Sequence, residues 1–211
     1  VVERDLTKKE AYYVFQSYWA TQPMVHIYGH SWPVRWGNEN EEKMIKVYSN
    51  CDEAELFVNG KSYGIKKRNS QDFPAAGLRW NLPLDKGIYT AHVVARKGKV
   101  VVSDTIRFEY QTEKWGKPTK VSFKKIREEN GMVTLEAKLY DEKNVQCLDA
   151  VNWIRFGLTG DGTLLDNLGT SGGSRLVQLY NGRATIRIQT NGGRSVASAK
   201  VDQLPVAFIN L

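Results

Sequence analysis

Two histidines and two tryptophans lie close together near the N-terminus, in the segment HIYGHSWPVRWG. His26 and His30 are four residues apart, and on a helix that spacing would place both imidazoles on one face, where they could bind a metal ion. Gly29 and Pro33 argue against a helix at this point. No third metal ligand follows in the neighbouring sequence. We therefore expect no metal site in this chain.

The tryptophan side chains are candidates for binding and not for catalysis. Their flat faces present large apolar areas at little cost in side-chain entropy, so they can stack on sugar rings or fill an interface between domains. The candidates for these roles are Trp32, Trp36, Trp80 and Trp115. The alternative is that the rings fill the base of their own folded domain, as large aromatic side chains often do.

Paired carboxylic acids are what glycoside hydrolysis requires, with the two groups about 5 to 9.5 Å apart. Most acidic residues of this chain stand at turns, where solvated carboxylates belong. These turn residues are Asp52, Glu53, Asp85, Asp141, Glu142 and Asp161. None stands in a context typical of a catalytic pair, so we expect no catalytic residue here.

The glycine clusters do not indicate phosphate binding, and the sequence shows no motif for nucleophilic catalysis. Residues 160–162 and 169–174 are rich in glycine. They lead into no helix and no lysine, as a phosphate-binding loop would, so we expect ordinary loops at both. Ser, His and Asp occur without the nucleophile elbow of hydrolases. No cofactor is expected.

Composition indicates a globular protein without a nucleic-acid partner. Of 211 residues, 41% are hydrophobic, which is enough apolar material for two modest cores. The net charge is +7, but Lys and Arg are scattered and accompany no nucleic-acid-binding motif, which favours a solvated basic surface. No apolar run approaches the roughly 20 residues of a membrane span, so no membrane insertion is expected. Cys51 and Cys147 lie in different halves, which argues for buried thiols without a disulfide framework.

One helix is predicted, at the N-terminus. Thr7 and Glu10 have the spacing of a capping box, in which each side chain accepts a backbone N–H of the first turn. Apolar and aromatic residues then recur at helical intervals, and the stripe ends before Pro23. Its members are Ala11, Val14, Phe15, Tyr18 and Trp19. A helix this short needs a partner surface, which is either its own neighbouring domain or one outside this chain.

The rest of the chain has the alternation and turns of β-structure. Residues 44–65 predict a meander of three strands, with a turn at Cys51 to Glu53 and an Asn59-Gly60 hairpin. Further Asn-Gly pairs predict hairpins at Asn130-Gly131, Asn181-Gly182 and Asn191-Gly192. Strands recur about every ten residues. The fold class is therefore all-β, with two immunoglobulin-like β-sandwiches in tandem after one N-terminal α-helix.

The boundary between the sandwiches is predicted at a turn-rich segment without alternation. Residues 113–118 form this linker, residues 22–112 the first sandwich and residues 119–211 the second. The first residues lack an initiator Met and the apolar middle of a signal peptide. We therefore expect the chain to begin inside a longer protein.

Several segments resemble the family 2 glycoside hydrolases, the β-galactosidase family. Residues 1–21, with LTKKEAYYVFQSYW, look like the last helix of the (β/α)8 catalytic barrel. HIYGHSWPVRWG and SNCDEAELFVNGKSYG resemble the first sandwich after that barrel. LLDNLGTSGGSRLVQLYNGRATIRI resembles the final immunoglobulin-like domain. The resemblance covers almost the whole chain.

The resemblance implies a non-catalytic C-terminal region of a retaining, β-galactosidase-like enzyme. In this family a general acid/base Glu and a nucleophile Glu lie on earlier barrel strands, and neither motif occurs here. Phe15, Tyr18 and Trp19 would then pack against the barrel; in this chain we expect the first sandwich or a second copy to cover them. The implied partners are the protein's own barrel, an oligosaccharide and a second copy of the chain, in the periplasm or outside a bacterial cell.

Two alternatives stay open. A carbohydrate-binding module would use exposed tryptophans and no catalytic groups. An adhesion-type array of immunoglobulin-like domains would explain the sandwiches but not the aromatic helix. Within the leading interpretation, a galactoside is the commonest substrate of the family, and glucuronide and mannoside are also possible.

Overall fold

The computed structural model describes residues 1–2, 8–69, 77–165 and 176–211. The chain forms two compact units, Val1–Glu113 and Lys114–Leu211. Thr7 and the glycine-rich residues 169–174 lie outside the described residues. The described part of the chain contains no helix that is long and apolar enough to cross a membrane.

The first unit contains the helix and eight described strands. These elements are α1 (Glu10–Trp19), β1 (Val25–Ile27), β2 (Val34–Trp36), β3 (Glu42–Ser49), β4 (Glu53–Val58), β5 (Lys61–Lys67), β6 (Leu78–Pro83), β7 (Gly87–Lys97) and β8 (Val100–Gln111).

The strands of the first unit form two sheets that enclose one core. One sheet has the order β1-β3-β6 and the other β2-β8-β7-β4-β5, and the pairs are antiparallel except that β2 runs parallel to β8. Residues at every second position of β4 and β7 point inward and are buried. Ile45, Leu56 and Phe108 are among the largest fully buried side chains of this core.

The predicted meander of residues 44–65 is wrong at its first turn. β3 pairs with β1 and β6, whereas β4 pairs with β5 and β7, so the chain changes sheet between Ser49 and Glu53. Asn50 stabilises this corner: its Oδ1 accepts the Met24 N–H at 2.8 Å, and its Nδ2 donates to the carbonyls of Ala20 and Gln22. Alternation predicts strands but not which sheet each one joins.

The second unit is built from eight described strands. They are β9 (Lys120–Glu129), β10 (Met132–Tyr140), β11 (Trp153–Gly160), β12 (Thr163–Leu164), β13 (Leu176–Gln178), β14 (Arg183–Gln189), β15 (Ser195–Val201) and β16 (Ala207–Asn210).

Two antiparallel sheets enclose the core of the second unit. Their strand orders are β12-β14-β10-β9 and β13-β11-β15-β16. The inward faces are apolar at alternate positions, as in Val133, Leu135, Ala137 and Leu139 of β10. Trp115, from the predicted linker 113–118, packs against this core, and the second unit includes the chain from Lys114 onward. The predicted fold class, all-β sandwiches after one N-terminal helix, is confirmed.

Three of the four Asn-Gly pairs form the predicted tight turns. At Asn59-Gly60, Asn130-Gly131 and Asn181-Gly182 both residues have positive φ, between 48° and 82°. This is the backbone of a type I′ turn, whose twist matches that of the flanking strands. Asn181-Gly182 lies between β13 and β14, which belong to different sheets, but Tyr180 and Arg183 pair directly across it. At Asn191-Gly192 only the glycine has positive φ, and the pair connects β14 and β15 of different sheets, so the hairpin predicted there is wrong.

The helix begins later than the capping box predicts. Lys9 is the N-cap residue and makes no side-chain cap hydrogen bond, and Glu10 is the first helical residue. The hydrogen bonds of the Glu10 carboxylate within the described residues lead to the sandwich. The carboxylate bonds to the segment that follows β1 and to β1 itself.

Candidate functional site

The first turn of α1 is attached to the sandwich by one carboxylate. Glu10 Oε1 accepts the Gly29 N–H at 2.9 Å, and Glu10 Oε2 lies 3.2 Å from His26 Nε2. An acidic residue in the first helical turn also interacts favourably with the positive end of the helix dipole. Glu10 therefore stabilises the helix and its attachment together.

His26 lies in the centre of a column of three rings. Its imidazole stacks on Tyr13 of α1, with centroids 3.4 Å apart and planes within 6°, and on His30, with centroids 4.6 Å apart. His26 is only 5% exposed. The column joins the helix, strand β1 and the following turn.

Asp104 of β8 closes the cluster from the other side. Its Oδ2 accepts the Ile27 N–H at 2.7 Å and lies 2.7 Å from His30 Nε2 and 3.8 Å from His26 Nδ1. Its Oδ1 accepts the Thr105 N–H. We call Glu10, His26, His30 and Asp104 the helix-docking cluster.

The two carboxylates of the helix-docking cluster are held in their charged forms. Burial acts to raise the pKa of Glu10, but hydrogen bonds from His26 and the Gly29 N–H outweigh it and lower that pKa. For Asp104, burial likewise acts to raise the pKa, and hydrogen bonds from His30 and the Ile27 N–H lower it. Charge-assisted hydrogen bonds to a carboxylate are among the stronger ones in proteins.

Arg35 fixes the turn that carries His30. Its Nη2 donates to the carbonyls of Tyr28 and Gly29, and its guanidinium lies 4.4 Å from the centroid of the Phe108 ring. Burial lowers the pKa of Arg35 to about 10, against the opposing attraction of Glu10. Gly29 has φ +92°, and a Cβ there would lie 2.8 Å from Arg35 Nη2, so this position requires glycine.

The prediction of no metal site was based on the lack of a third ligand near the two histidines in the sequence, and Asp104 is a candidate third ligand from a distant segment. Asp104 is 74 residues from His30 in sequence, yet β8 brings its carboxylate to both histidines. One ligand atom from each of His26, His30 and Asp104 lies within 4.8 Å of the others. Two imidazoles and a carboxylate are a set that divalent transition metals bind. Neither Asp104 nor Glu10 stands in a local motif that could have predicted this contact.

The four candidate tryptophans do not form one surface. Trp80 is 3% exposed in the first core and donates its Nε1–H to the Gly64 carbonyl, so it is not available to stack on a sugar. Trp32 is half-buried, with its ring edge-to-face against Tyr28. Trp36 is also half-buried and donates to the Thr112 carbonyl.

Trp115, the fourth candidate, lies in the second unit. It donates its Nε1–H to Asp149 at 2.5 Å, and Lys114 Nζ lies 3.7 Å from the centroid of its ring. It lines a cleft of about 400 Å³ together with Asp141 and Lys143.

Some turn carboxylates organise loops and are not simply solvated. Asp141 is 4% exposed and accepts the N–H groups of Gly116 and Val145. Asp161 accepts the N–H groups of Asn191 and Gly193. Side-chain acceptors such as these satisfy backbone N–H groups in loops that have no strand partner.

The aromatic stripe of α1 faces outward. Phe15, Tyr18 and Trp19 are 43%, 48% and 76% exposed. The expectation that the first sandwich covers them is wrong, because the helix contacts the sandwich through the other face, with Tyr13 and the buried Ser17. Phe15 and Trp19 stack on each other, with centroids 5.0 Å apart.

Comparisons with known proteins agree with the resemblance to glycoside hydrolases that the sequence segments indicate. The protein family described as Domain of unknown function (DUF4982) matches residues 40–102. A β-glucuronidase of Parabacteroides merdae has a solved structure that superposes on the whole chain with a TM-score of 0.93 and 54% sequence identity. The chain corresponds to 27% of that protein.

Two curated relatives are similar over nearly the full chain. A putative β-glucuronidase of Formosa agariphila is 38% identical over 91% of this chain, and β-galactosidase BoGH2A of Bacteroides ovatus is 29% identical over 96% of it. The chain spans about a quarter of the length of each, 23% and 24% respectively. The chain belongs to the family 2 glycoside hydrolases and corresponds to the C-terminal region of these enzymes.

Proposed function

We propose that this chain is a non-catalytic accessory region that braces the catalytic barrel of a family 2 glycoside hydrolase. The observation that carries the proposal is the difference between the two faces of α1. One side is fixed to the first sandwich by the helix-docking cluster, while Phe15, Tyr18 and Trp19 point outward. Exposed aromatic groups of this size are typical of an interface.

An activity assay tests the absence of catalysis. We expect the 211-residue chain to release no nitrophenol from nitrophenyl β-glucuronide or β-galactoside above a heat-denatured control. The reason is that the family resemblance implies that the general acid/base Glu and the nucleophile Glu both lie on barrel strands that precede this region. Turnover that scales with the concentration of folded chain would overturn the proposal.

A binding experiment tests the bracing role. The preceding, barrel-containing part of the protein would be produced separately and mixed with this chain. Trp19→Ala should weaken the complex by about 2 kcal/mol, since buried Trp side chains commonly dominate interface energies. Trp153→Ala is the matched control, because Trp153 is also exposed, at 56%, but lies in the second unit. Equal affinities of the two variants would contradict the assignment of α1 as the contact.

For the parent enzyme we propose a β-glucuronide as substrate, with a β-galactoside as the alternative. The support is that the relatives with higher identity, 54% and 38%, are named β-glucuronidases, whereas the β-galactosidase is 29% identical. Comparing the hydrolysis of both nitrophenyl glycosides by the full-length protein distinguishes the two. Preference for the galactoside would reverse this assignment.

Carbohydrate binding is the second candidate function. The observation that favours it is a cavity of about 380 Å³ in the first unit, lined by Trp36, Lys43 and Tyr110 among others. Titration with galactans and uronate-containing oligosaccharides, followed by tryptophan fluorescence, tests it. A saturable change that Trp36→Ala abolishes would support binding, and no response at millimolar sugar would exclude it.

A further inference from the structure

We propose that the helix-docking cluster is a binding site for a divalent transition-metal ion of the Zn²⁺ class, with His26, His30 and Asp104 as ligands. The ion would fix the His26 imidazole, and through the bond between His26 and Glu10 it would support the attachment of the N-terminal helix to the first sandwich. The proposal does not depend on the identity of the parent's substrate.

The first support is the orientation of His26. Its Nε2 faces the Glu10 carboxylate at 3.2 Å, so the ring proton belongs on Nε2 in the neutral imidazole. Nδ1 then presents a lone pair towards Asp104 Oδ2, 3.8 Å away. A lone pair and a carboxylate oxygen that face each other in a buried site attract a cation between them.

The third ligand comes from His30. Its Nε2 lies 2.7 Å from the same Asp104 oxygen, and without an ion it donates a hydrogen bond there. The three candidate ligand atoms lie within 4.8 Å of one another. Two imidazole nitrogens and one carboxylate oxygen are the ligand types that suit Zn²⁺, and they leave one position for water.

The groups behind the ligands are those that a metal site needs. Metal-binding histidines usually donate their second N–H to a carboxylate, as His26 does to Glu10. Asp104 is held in place by the backbone N–H groups of Ile27 and Thr105. Each ligand except His30 is therefore already oriented.

One adjustment is required for the ion to bind. The His26 and His30 rings are nearly parallel, at 17°, so an ion in the plane of one ring lies out of the plane of the other. The His30 side chain is 40% exposed in a turn, and it can rotate to direct Nε2 at the ion. His26, at 5% exposed, provides the fixed part of the site.

The test is a metal titration of the chain after treatment with a chelator. Zn²⁺ binding is followed by calorimetry, and Co²⁺ binding by visible absorption. We expect one ion per chain, with the absorption bands of a low-symmetry Co²⁺ site that contains nitrogen ligands. We also expect Zn²⁺ to raise the unfolding temperature, since it binds the folded chain only.

Variants separate this site from adventitious binding. His30→Ala and Asp104→Asn should each weaken Zn²⁺ binding at least about 10- to 100-fold, and Glu10→Gln, which acts through His26, by about 10-fold. His92→Ala is the matched control, because His92 bonds to Thr105 Oγ1 outside the cluster. His30 is exposed, so its replacement leaves the fold intact, which circular dichroism checks. Absence of binding at millimolar Zn²⁺, or equal affinities of the unmodified chain and His30→Ala, would overturn the proposal.

Discussion

At the scale of single residues, Asp104 shows how one side chain can connect distant segments. It stands on β8, but its carboxylate bonds to the backbone of β1 and to the His30 imidazole. Both contacts are short, at 2.7 Å. A half-buried carboxylate with several donors stays charged, because losing the charge would weaken the hydrogen bonds from all of these donors.

Glu10→Gln gives the first prediction. We expect the free energy of unfolding to fall by about 1–2 kcal/mol at neutral pH, because the amide cannot replace the charge-assisted hydrogen bonds of the carboxylate. The pKa of Glu10 is lowered in the folded chain, so its contribution is present above the unfolded pKa and disappears as the pH falls through the folded pKa. The stability of the unmodified chain should therefore decrease more steeply than that of the variant between about pH 5 and pH 3.

Urea unfolding at several pH values measures this difference. Glu42→Gln is the control, because Glu42 is an exposed glutamate on β3 of the same unit. It should show neither the loss at neutral pH nor the altered slope. Parallel stability curves for the Glu10 variant and the unmodified chain would refute the role of this carboxylate.

Trp80 and Trp153 give the second prediction. Trp80→Ala should destabilise the chain by about 3–5 kcal/mol, since it removes a ring that is 3% exposed in the first core. Trp153→Ala should change stability by no more than about 0.5 kcal/mol, because Trp153 is 56% exposed. Chemical denaturation of both variants provides the measurement. Similar losses of stability in the two variants would contradict the view that the burial of each ring determines its contribution.

At the scale of elements, local turn chemistry was predictable and strand pairing was not. Asn and Gly tolerate positive φ, and three Asn-Gly pairs adopt it in tight turns. Asn191-Gly192 has the same composition, but only its glycine has positive φ, and the pair forms no hairpin. Asn191 donates there to Asp161, a partner 30 residues away, which the dipeptide cannot indicate.

Two glycines in equivalent turns should respond differently to alanine. Gly60→Ala should cost about 1–2 kcal/mol, which is the strain of a left-handed backbone, because a Cβ there meets no atom within 4 Å. Gly182→Ala should cost more, since its Cβ would lie 2.3 Å from the Cys147 carbonyl oxygen. Thermal unfolding of the two variants compares the losses. An equal cost would mean that the chain around Cys147 moves aside freely.

The sequence predicted the helix and its aromatic stripe, but it did not predict which face of the helix packs against the sandwich. Periodicity places Phe15, Tyr18 and Trp19 on one face, and nothing in it shows which face the sandwich binds. The deciding contacts are Tyr13 on His26 and Glu10 on Gly29. They are polar and aromatic, so a search for the most apolar face leads to the wrong side.

At the scale of the whole molecule, each unit has its own core. The second unit encloses buried residues from both of its sheets, including Leu135, Phe156 and Ile186. We predict that residues 114–211 produced alone unfold cooperatively, because a single core with paired strands is the requirement for a two-state domain. Coincident denaturation curves from fluorescence and circular dichroism would support this. A gradual, non-cooperative curve would contradict it.

The fold class could be predicted from the sequence because alternation and turn residues are local properties. The helix-docking cluster could not, because it joins Glu10, His26 and Asp104, which are separated by 16 and 78 positions in the printed sequence. Only the pairing of β8 with its neighbours in the first unit places Asp104 beside the histidines. The segments that resemble a known family predicted which region of those enzymes the chain corresponds to, but they predicted none of these contacts.

The span of these contacts also has a kinetic meaning. The bond from Ile27 N–H to Asp104 closes a loop of 77 residues, so it forms only after strands across the first unit are in place. Interactions that form after the folding transition state slow unfolding without accelerating folding. We therefore expect the contact between β1 and Asp104 to affect mainly how slowly the chain unfolds, and the local hairpins to affect mainly how quickly it folds.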